Sequence, residues 1–461
     1  MADASGTRPA IDAAAVDGLR TEVLDWRHQA VPASRHGLTA EAFASGGSAL
    51  ADLQTPLLTL DSGALTHNLD LLAGWCRDRG VLLAPHGKTT MAPALWRAQL
   101  DRGAWGITLA NPAQLRVGRH VGVQTLMLAN SLTDPQAIRW VAGEVASGAR
   151  IVSWVDDVRT VERIDAVLGA AGIANDGADV ELELIVELGG AGGRTGARSV
   201  EAALEVARAV GASRHGRLAG VGGYEGSLAH TADDAGLAAV RQYLTALRSL
   251  HERLLAEGAY PGDALVTAGG SAYFDDVVGI LGPCATGRGS SGGAAGPRVD
   301  VVLRSGAYVI HDDGFYRGIS PFSRQGPARH DPDGEDAFRS AMHVWARVVS
   351  APEPGLAILD AGKRDLPVDE GLPVPQLIGP ELGAPMRPLT GARITAVNDQ
   401  HCYLVTDPDT TDGIELRPGD VVRLGLSHPC TAMDKWTLVP VIDDADRPED
   451  AVVVDTVRTF F

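Results

Sequence analysis

Short apolar runs alternate with longer amphipathic runs between about residues 53 and 312, and this alternation constrains the fold more than any other feature. The strand-like runs Val81–Ala84 and Arg150–Val155, for example, are followed by the helix-like segments Ala92–Arg102 and Val158–Ala170. Regular alternation predicts parallel strands joined by crossover helices. About eight such units close into a barrel rather than leave an open sheet.

After about Ser320 the pattern changes to short strand-like runs separated by turn residues. These runs are Met342–Ala351, Leu356–Leu359, Arg393–Val397, His401–Val405 and Val421–Leu426. They predict a mostly antiparallel β domain. We therefore predict an α/β protein in three parts: an N-terminal segment (1–52) that packs on the β domain, a TIM-like (β/α)8 barrel (53–315), and the C-terminal β domain (316–461). The stretch 282–297, rich in Gly and Ser, predicts a surface loop.

Charge and cysteine content limit the partners and the compartment. The formal net charge is −18, which argues against binding to nucleic acid or to anionic membranes. The four cysteines (Cys76, Cys284, Cys402 and Cys430) show no paired spacing, which favours a reducing compartment. The chain has no apolar run long enough to span a membrane, and its N-terminus lacks an apolar leader. We therefore expect a cytoplasmic protein.

Lys88 lies in the run Leu83–Thr90, at the predicted end of a barrel strand. A lysine at this place can hold an aldehyde cofactor as a Schiff base, whereas an isolated lysine is more commonly a solvated surface residue. His86 precedes it by two residues and shares its face if the strand continues. His86 can contact a cofactor or substrate, or simply be hydrogen-bonded in place.

The run Val266–Tyr273 places Thr267, Gly269, Gly270 and Ser271 at the end of another strand. Backbone N–H groups at such a turn can cradle a phosphate, and the Ser271 hydroxyl can add a further hydrogen bond. The same residues would equally form the N-cap of a helix.

Two further strand ends are rich in glycine, which permits close approach of the backbone to a ligand. Gly220–Gly226 contains Tyr224, which can hydrogen-bond to or stack on a ring, or can be an ordinary core tyrosine. Val186–Gly196 contains four glycines before Arg194 and equally suits a plain loop.

The run Ser427–Cys430 contains His428 and Cys430, two residues apart. Side chains at this spacing can point the same way and share one zinc ion. Two protein ligands leave coordination positions open, which suits a catalytic rather than a structural metal. Isolated His/Cys pairs without a metal are nevertheless common.

The order and spacing of these motifs resemble the D-serine dehydratase and D-threonine aldolase family, over about residues 53–436. These are fold-type III pyridoxal-phosphate enzymes with an alanine-racemase-like fold. The resemblance implies pyridoxal 5'-phosphate on Lys88, Arg194 near the cofactor ring, Tyr224 facing the cofactor, and phosphate binding by the segment of Thr267, Gly269, Gly270 and Ser271. It also implies a homodimer.

The His-x-Cys pair resembles the dehydratase branch, whereas the aldolase branch carries His-x-Asp. The resemblance implies Zn2+ at His428 and Cys430, and an ammonia-lyase that converts a β-hydroxy D-amino acid, such as D-serine or D-threonine, to a 2-oxo acid and ammonia. The alternatives are a D-threonine-type aldolase and a non-catalytic cofactor-binding protein; a racemase needs no metal. The segment Lys88–Met91 and the pair Gly189–Gly190 depart from the family pattern, which leaves the choice of D-amino acid open.

Overall fold

The computed structural model describes residues 10–172, 174–175, 178–286, 296–324, 334–407 and 414–461. The strands in chain order are β1 (Leu57–Asp61), β2 (Leu82–Leu83), β3 (Ile107–Leu109), β4 (Thr125–Ser131), β5 (Arg150–Val155), β6 (Ala174–Asn175), β7 (Ala178–Asp179), β8 (Leu182–Glu187), β9 (Gly216–Gly222), β10 (Ala264–Ala268), β11 (Val299–Leu303), β12 (Met342–Glu353), β13 (Leu356–Leu359), β14 (Val374–Gly379), β15 (Arg387–Pro388), β16 (Ala392–Val397), β17 (Cys402–Thr406), β18 (Val421–Gly425), β19 (Leu438–Ile442) and β20 (Val453–Arg458).

The α-helices are α1 (Ala13–Gly18), α2 (Ala40–Ser45), α3 (Ser62–Asp78), α4 (Pro93–Asp101), α5 (Pro112–His120), α6 (Pro135–Ala146), α7 (Val158–Ala171), α8 (Val200–Ala212), α9 (Asp234–Ala256), α10 (Phe274–Leu281), α11 (Phe315–Ile319) and α12 (Pro321–Arg324). None of these helices is long and apolar enough to cross a membrane. Local sequence sets where several of them begin. The side chains of Asn111, Asp134 and Ser199 each accept a hydrogen bond from a first-turn amide, at α5, α6 and α8.

The chain divides into two units. Within the described ranges, the barrel unit comprises residues 10–12, Leu72–Lys88 and Gln99–Gly306, and the β unit comprises Ala13–Leu71, Thr89–Ala98 and Ala307–Phe461. The barrel unit ends at Gly306, shortly after β11.

The barrel unit contains an eight-stranded sheet in the order β2-β11-β10-β9-β8-β5-β4-β3, and every neighbouring pair in it is parallel. The chain just after β2 closes this sheet, because the amides of Trp105 and Thr108 donate to the carbonyls of Leu83 and Pro85. The interior is filled by the buried cluster Ala84, Met127, Val152, Trp154, Ile185, Ala219, Leu265 and Val302. The predicted barrel is confirmed.

Strand β1 is not part of the barrel, although its position in the alternating pattern predicts it there. It pairs antiparallel with β12 and parallel with β19 in the sheet of the β unit. Leu57, Leu58 and Leu60 are completely buried. An apolar run that is buried on both faces does not reveal from its sequence which sheet it joins.

The β unit is built on a ten-stranded sheet with the path β15-β14-β18-β12-β1-β19-β20, to which β13, β16 and β17 are added through β12. All of its pairs are antiparallel except β1 with β19, which confirms the predicted mostly antiparallel domain. The N-terminal segment contributes to this unit: the amide of Leu50 donates to the carbonyl of Ala451, and Arg458 bonds to Glu22 at 2.7 Å.

The surface loop predicted at 282–297 falls largely outside the described residues, which omit 287–295. Its described beginning, Gly282–Cys284, forms one turn of 3-10 helix directly after α10.

Candidate functional site

Lys88 follows β2, in the 3-10 turn Gly87–Thr89, at the carboxyl end of the first barrel strand. His86, two residues earlier, is partly exposed, but its Nδ1 atom is buried and has no hydrogen-bond partner among the described residues. Burial holds the pKa of His86 well below its ordinary value, and the positive charges of Lys88, Arg304 and Arg194 lower it further. His86 is therefore a neutral imidazole beside three cations.

Arg194 and Tyr224, predicted on different strand ends, are brought together at the mouth of the barrel. The Arg194 guanidinium carbon lies 5.6 Å from the centroid of the Tyr224 ring. Arg194 is exposed and Tyr224 is partly buried. A guanidinium over a phenol ring is a cation–π contact, which holds the arginine over the barrel opening.

Glu187, the last residue of β8, is a buried carboxyl group that the sequence reasoning did not select. Its Oε1 accepts a hydrogen bond from the Thr195 hydroxyl at 2.7 Å, while its buried Oε2 has no partner within the part of the chain that is described. Burial raises the pKa of Glu187 above its ordinary value. The one signal for it in the sequence is its place between an apolar strand and the glycine-rich run.

Arg304, directly after β11, was also missed, although a basic residue that ends an apolar strand is a visible signal. Its side chain is 1% exposed and its guanidinium carbon lies 4.6 Å from the centroid of the Trp154 ring. It donates to the Thr267 hydroxyl and to the Gly223 carbonyl, both at 2.6 Å. Its Nε has no partner among the described residues. Burial lowers the pKa of Arg304, and the charge of Glu225 opposes that shift.

The turn after β10, predicted to cradle a phosphate with its amides, uses two of them within the protein. The amides of Gly269 and Gly270 donate to the two carboxylate oxygens of Glu225, at 3.0 and 2.8 Å. The Glu225 carboxylate is therefore the acceptor of both N–H groups here, and phosphate binding by this turn stays a prediction. Ser271 is buried, and its hydroxyl stays a predicted donor to a phosphate.

The predicted metal residues lie together in the β unit. The Nδ1 of His428 is 2.7 Å from Oδ2 of Asp369, and the Thr431 hydroxyl donates to the other oxygen of Asp369 at 2.7 Å. Cys430 Sγ is 3.8 Å from the Thr89 hydroxyl. Burial alone would lower the pKa of His428, but the neighbouring Cys430 and Asp369 together raise it to about 9.

The residues described above fit the pyridoxal phosphate and the zinc ion that the resemblance implies. In the barrel unit, the unpartnered buried atoms Nδ1 of His86, Oε2 of Glu187 and Nε of Arg304 are polar groups that a polar cofactor can satisfy. In the β unit, an imidazole backed by a carboxylate next to a thiol is a donor set suited to zinc. No cluster of three or more His, Cys, Asp or Glu side chains that could hold a metal occurs in the described ranges. His428 and Cys430 stay the predicted metal ligands.

The closed parallel barrel with a separate antiparallel β domain is the alanine-racemase-like fold. A family model described as "Putative serine dehydratase domain" matches residues 341–442, which include Asp369, His428 and Cys430. The D-threonine aldolase of Arthrobacter sp is 25% identical over 393 residues, which is 85% of this chain and 90% of that protein. The chain is therefore similar to the D-serine dehydratase and D-threonine aldolase family, as its motifs predict.

Solved structures agree on the fold. The D-threonine aldolase of Filomicrobium marinum superposes with a TM-score of 0.69 at 24% identity, covering 90% of this chain and 97% of that one. The D-threo-3-hydroxyaspartate dehydratase of Delftia sp. HT23 superposes with a TM-score of 0.66 at 21% identity, covering 90% and 99%. Two further matching structures are variants of a D-threo-3-hydroxyaspartate dehydratase. One replaces a histidine with alanine, and the other, in a metal-free form, replaces the cysteine two residues later with alanine.

Proposed function

We propose that this protein is a pyridoxal-phosphate- and zinc-dependent dehydratase of a D-amino acid with a β-hydroxyl group. D-serine and D-threonine are the substrates we expect, and a 2-oxo acid and ammonia are the products. The observation that carries the proposal is the pairing of Cys430 with an Asp369-backed His428, because a thiolate and an imidazole together favour zinc. The histidine and cysteine variants of a D-threo-3-hydroxyaspartate dehydratase, with the same two-residue spacing, support it.

Pyridoxal phosphate, when bound, supplies an aldehyde that joins amines and a ring that withdraws electrons from the substrate Cα. Lys88 is the residue that would hold it, and its Nζ would take the proton from the substrate Cα. The neutral His86 offers Nδ1 to a polar group without adding another positive charge. Arg194, at the barrel mouth, supplies a cation for an anionic group such as a carboxylate or phosphate.

His428 and Cys430 would hold the metal, with Asp369 fixing the imidazole through Nδ1. Zinc held there supplies a Lewis acid for the departing hydroxyl group. The rings of Tyr316 and Phe315 lie 5.8 and 6.1 Å from the His428 ring, centroid to centroid, and restrict how the imidazole can turn.

A D-threonine-type aldolase is the second candidate, because the Arthrobacter and Filomicrobium relatives carry that activity. The two reactions share the cofactor and the hydroxyl substrate but break different bonds. The dehydratase breaks the Cβ–O bond, whereas the aldolase breaks the Cα–Cβ bond and leaves glycine and an aldehyde.

Product analysis separates the two reactions. The purified protein, loaded with cofactor, is given D-serine or D-threonine with and without a chelator, and 2-oxo acid, ammonia, glycine and aldehyde are measured. We expect chelator-sensitive formation of 2-oxo acid and ammonia. Glycine and aldehyde would instead identify the aldolase, and no turnover of any D-amino acid would favour a non-catalytic cofactor-binding protein.

The Cys430→Ala variant tests the zinc site in the same assay. We expect it to lose the metal and the lyase activity while it keeps the bound cofactor, because Lys88 is unchanged. Cys284→Ala, a change in the barrel unit, is the matched control and should keep both. A fully active Cys430→Ala protein without metal would exclude zinc from the reaction.

We further propose a cytoplasmic homodimer. The four cysteines are free, which fits a reducing compartment. The family resemblance supports the dimer, and light scattering on the purified protein measures the assembly directly.

A further inference from the structure

We propose that Glu225 is the positioning residue of the phosphate-binding turn. Its carboxylate holds the backbone of Gly269 and Gly270 in place, an arrangement called the clamp below. As a result, Ser271 and the hydrogen-bond donors after it face the cofactor phosphate. This inference rests on the proposed cofactor. Glu225 is a buried acidic side chain next to a turn that is proposed to bind an anion, where a negative charge is unexpected.

Glu225 begins the 3-10 turn Glu225–Ser227, three residues after β9, and its side chain is 0% exposed. Each of its two carboxylate oxygens accepts one amide, Oε2 from Gly269 and Oε1 from Gly270. Hydrogen bonds from amides to an ionised carboxylate are short and strong. Because both oxygens are used, a single side chain fixes two consecutive peptide units.

Gly270 is held from its other side as well. The Ser305 hydroxyl donates to the Gly270 carbonyl at 2.9 Å, and Ser305 is itself completely buried. The Tyr224 ring packs against the same residue, since a Cβ added to Gly270 would lie 2.8 Å from Tyr224 Cε2. The peptide before Gly270 and the one after it therefore each have a fixed partner, from the ends of β9 and β11.

Arg304 balances the charge of this clamp. It donates to the Gly223 carbonyl, two residues before Glu225, and to the Thr267 hydroxyl, two residues before Gly269. The charge of Glu225 opposes the lowering of the Arg304 pKa that burial causes, so the two groups interact electrostatically. A phosphate at the turn therefore meets a carboxylate that has a buried guanidinium nearby.

Two amides that a glycine-rich turn would normally offer are thus committed to Glu225. The clamp fixes the direction in which the chain leaves Gly270. It therefore also fixes the position of Ser271, which begins the segment before α10. Removing the second acceptor oxygen frees one amide and loosens the turn, which should weaken the phosphate contacts but not the bond to Lys88.

The test compares two ligands that differ only in the phosphate. Cofactor-free protein is titrated with pyridoxal 5'-phosphate and with pyridoxal, and binding is followed by visible absorption. In Glu225→Gln one amide of the turn faces a side-chain N–H instead of an oxygen. We expect its Kd for pyridoxal phosphate to rise by about tenfold or more, the effect of losing a charged hydrogen bond. Its Kd for pyridoxal should stay at the wild-type value.

The control is Asp165→Asn, at the other end of the barrel. Asp165 Oδ1 also accepts a backbone amide, from His215, and a hydroxyl, from Ser213, just before β9 begins. This variant should keep the full preference for the phosphorylated ligand even if the barrel loses stability. If Glu225→Gln does not fold, Glu225→Asp, whose shorter carboxylate cannot span both amides, replaces it under the same criteria.

The outcomes separate this inference from the proposed function. If the wild-type protein binds neither ligand, the pyridoxal-phosphate function itself fails, and this inference fails with it. If the wild type prefers pyridoxal phosphate and the Glu225 variant keeps that preference, or loses affinity equally for both ligands, only the role of Glu225 is overturned.

Discussion

The Nδ1 atom of His428 lies 2.7 Å from Oδ2 of Asp369, although 59 positions separate the two residues in the chain. With Nδ1 engaged by a carboxylate, the other ring nitrogen is the one left to bind a metal. Thr431 holds the second oxygen of Asp369, so the carboxylate itself is fixed in place. The His428 ring is therefore oriented by its neighbours before any metal arrives.

This pair predicts that Asp369→Asn weakens metal binding without removing either ligand. Loss of such a supporting carboxylate typically costs about tenfold to a hundredfold in metal affinity. Competition with a chelator of known affinity measures the change. Asp434→Asn, which removes an exposed carboxylate paired with Lys435, is the control. Equal zinc affinity in wild type and Asp369→Asn would mean that Asp369 does not orient His428.

Lys88→Ala should abolish both the visible absorption of the bound cofactor and the lyase activity. The amine at Lys88 is the proposed attachment point and the proposed base for the Cα proton, and losing a general base alone costs at least about a hundredfold in rate. Absorption spectra and single-turnover assays on the same preparations check both effects. Lys363→Ala removes an exposed lysine of the β unit and should change neither. If the Lys88→Ala protein still bound the cofactor covalently, the attachment point would have to be another residue.

The sequence predicts the barrel well because its strands are apolar runs bounded by clear helices. The predicted strand Arg150–Val155 has the observed bounds. For strand β1 the alternating pattern predicts the wrong sheet, because a run buried on both faces carries no periodicity that identifies its neighbours. Pairing partners are a property of the tertiary fold.

In the candidate site, too, local motifs are predictable from the sequence, whereas contacts between distant residues are not. Lys88 is predictable because it follows a strand within one motif, and the spacing of His428 and Cys430 is likewise visible in the chain. Glu225 and Arg304 were missed because their importance comes from the meeting of three strand ends. The hydrogen bond from Gly270 to Glu225 spans 45 residues, and that from Arg304 to Gly223 spans 81. No local pattern contains both partners.

His311 predicts a pH dependence of stability in the β unit. Burial, and to a lesser degree Arg317, lowers the pKa of His311 to about 3, whereas the unfolded residue titrates near its ordinary value of about 6.5. The unfolded chain therefore binds the proton more tightly. The contribution of neutral His311 to stability is complete above about pH 6.5 and is lost as the pH falls towards about 3.

His311→Asn should flatten this acid limb by up to about 1.4 kcal/mol per pH unit. Asn is chosen because residue 311 has a φ of +28°, and Asn tolerates that region better than most residues. Urea unfolding of both proteins across the range measures the difference in slope. Above pH 7 the two slopes should coincide, which serves as the internal control. Parallel curves at all pH values would contradict the burial of a neutral His311.

The surroundings of Gly220 predict that one added methyl group lowers the stability of the barrel. It lies in β9 with a φ of +150°, next to a register shift in the pairing with β8, and an added Cβ would meet the Leu265 carbonyl oxygen of β10 at 1.9 Å. Gly220→Ala must therefore separate two neighbouring strands as well as adopt a strained backbone. The backbone strain alone costs roughly 1–3 kcal/mol, and the clash adds to it.

The control is Gly169→Ala, on the exposed face of α7 with open space around it. This variant should instead gain up to about 1 kcal/mol of stability. Urea unfolding measures both variants, and a Gly220→Ala protein as stable as the wild type would show that β9 and β10 do not approach this closely.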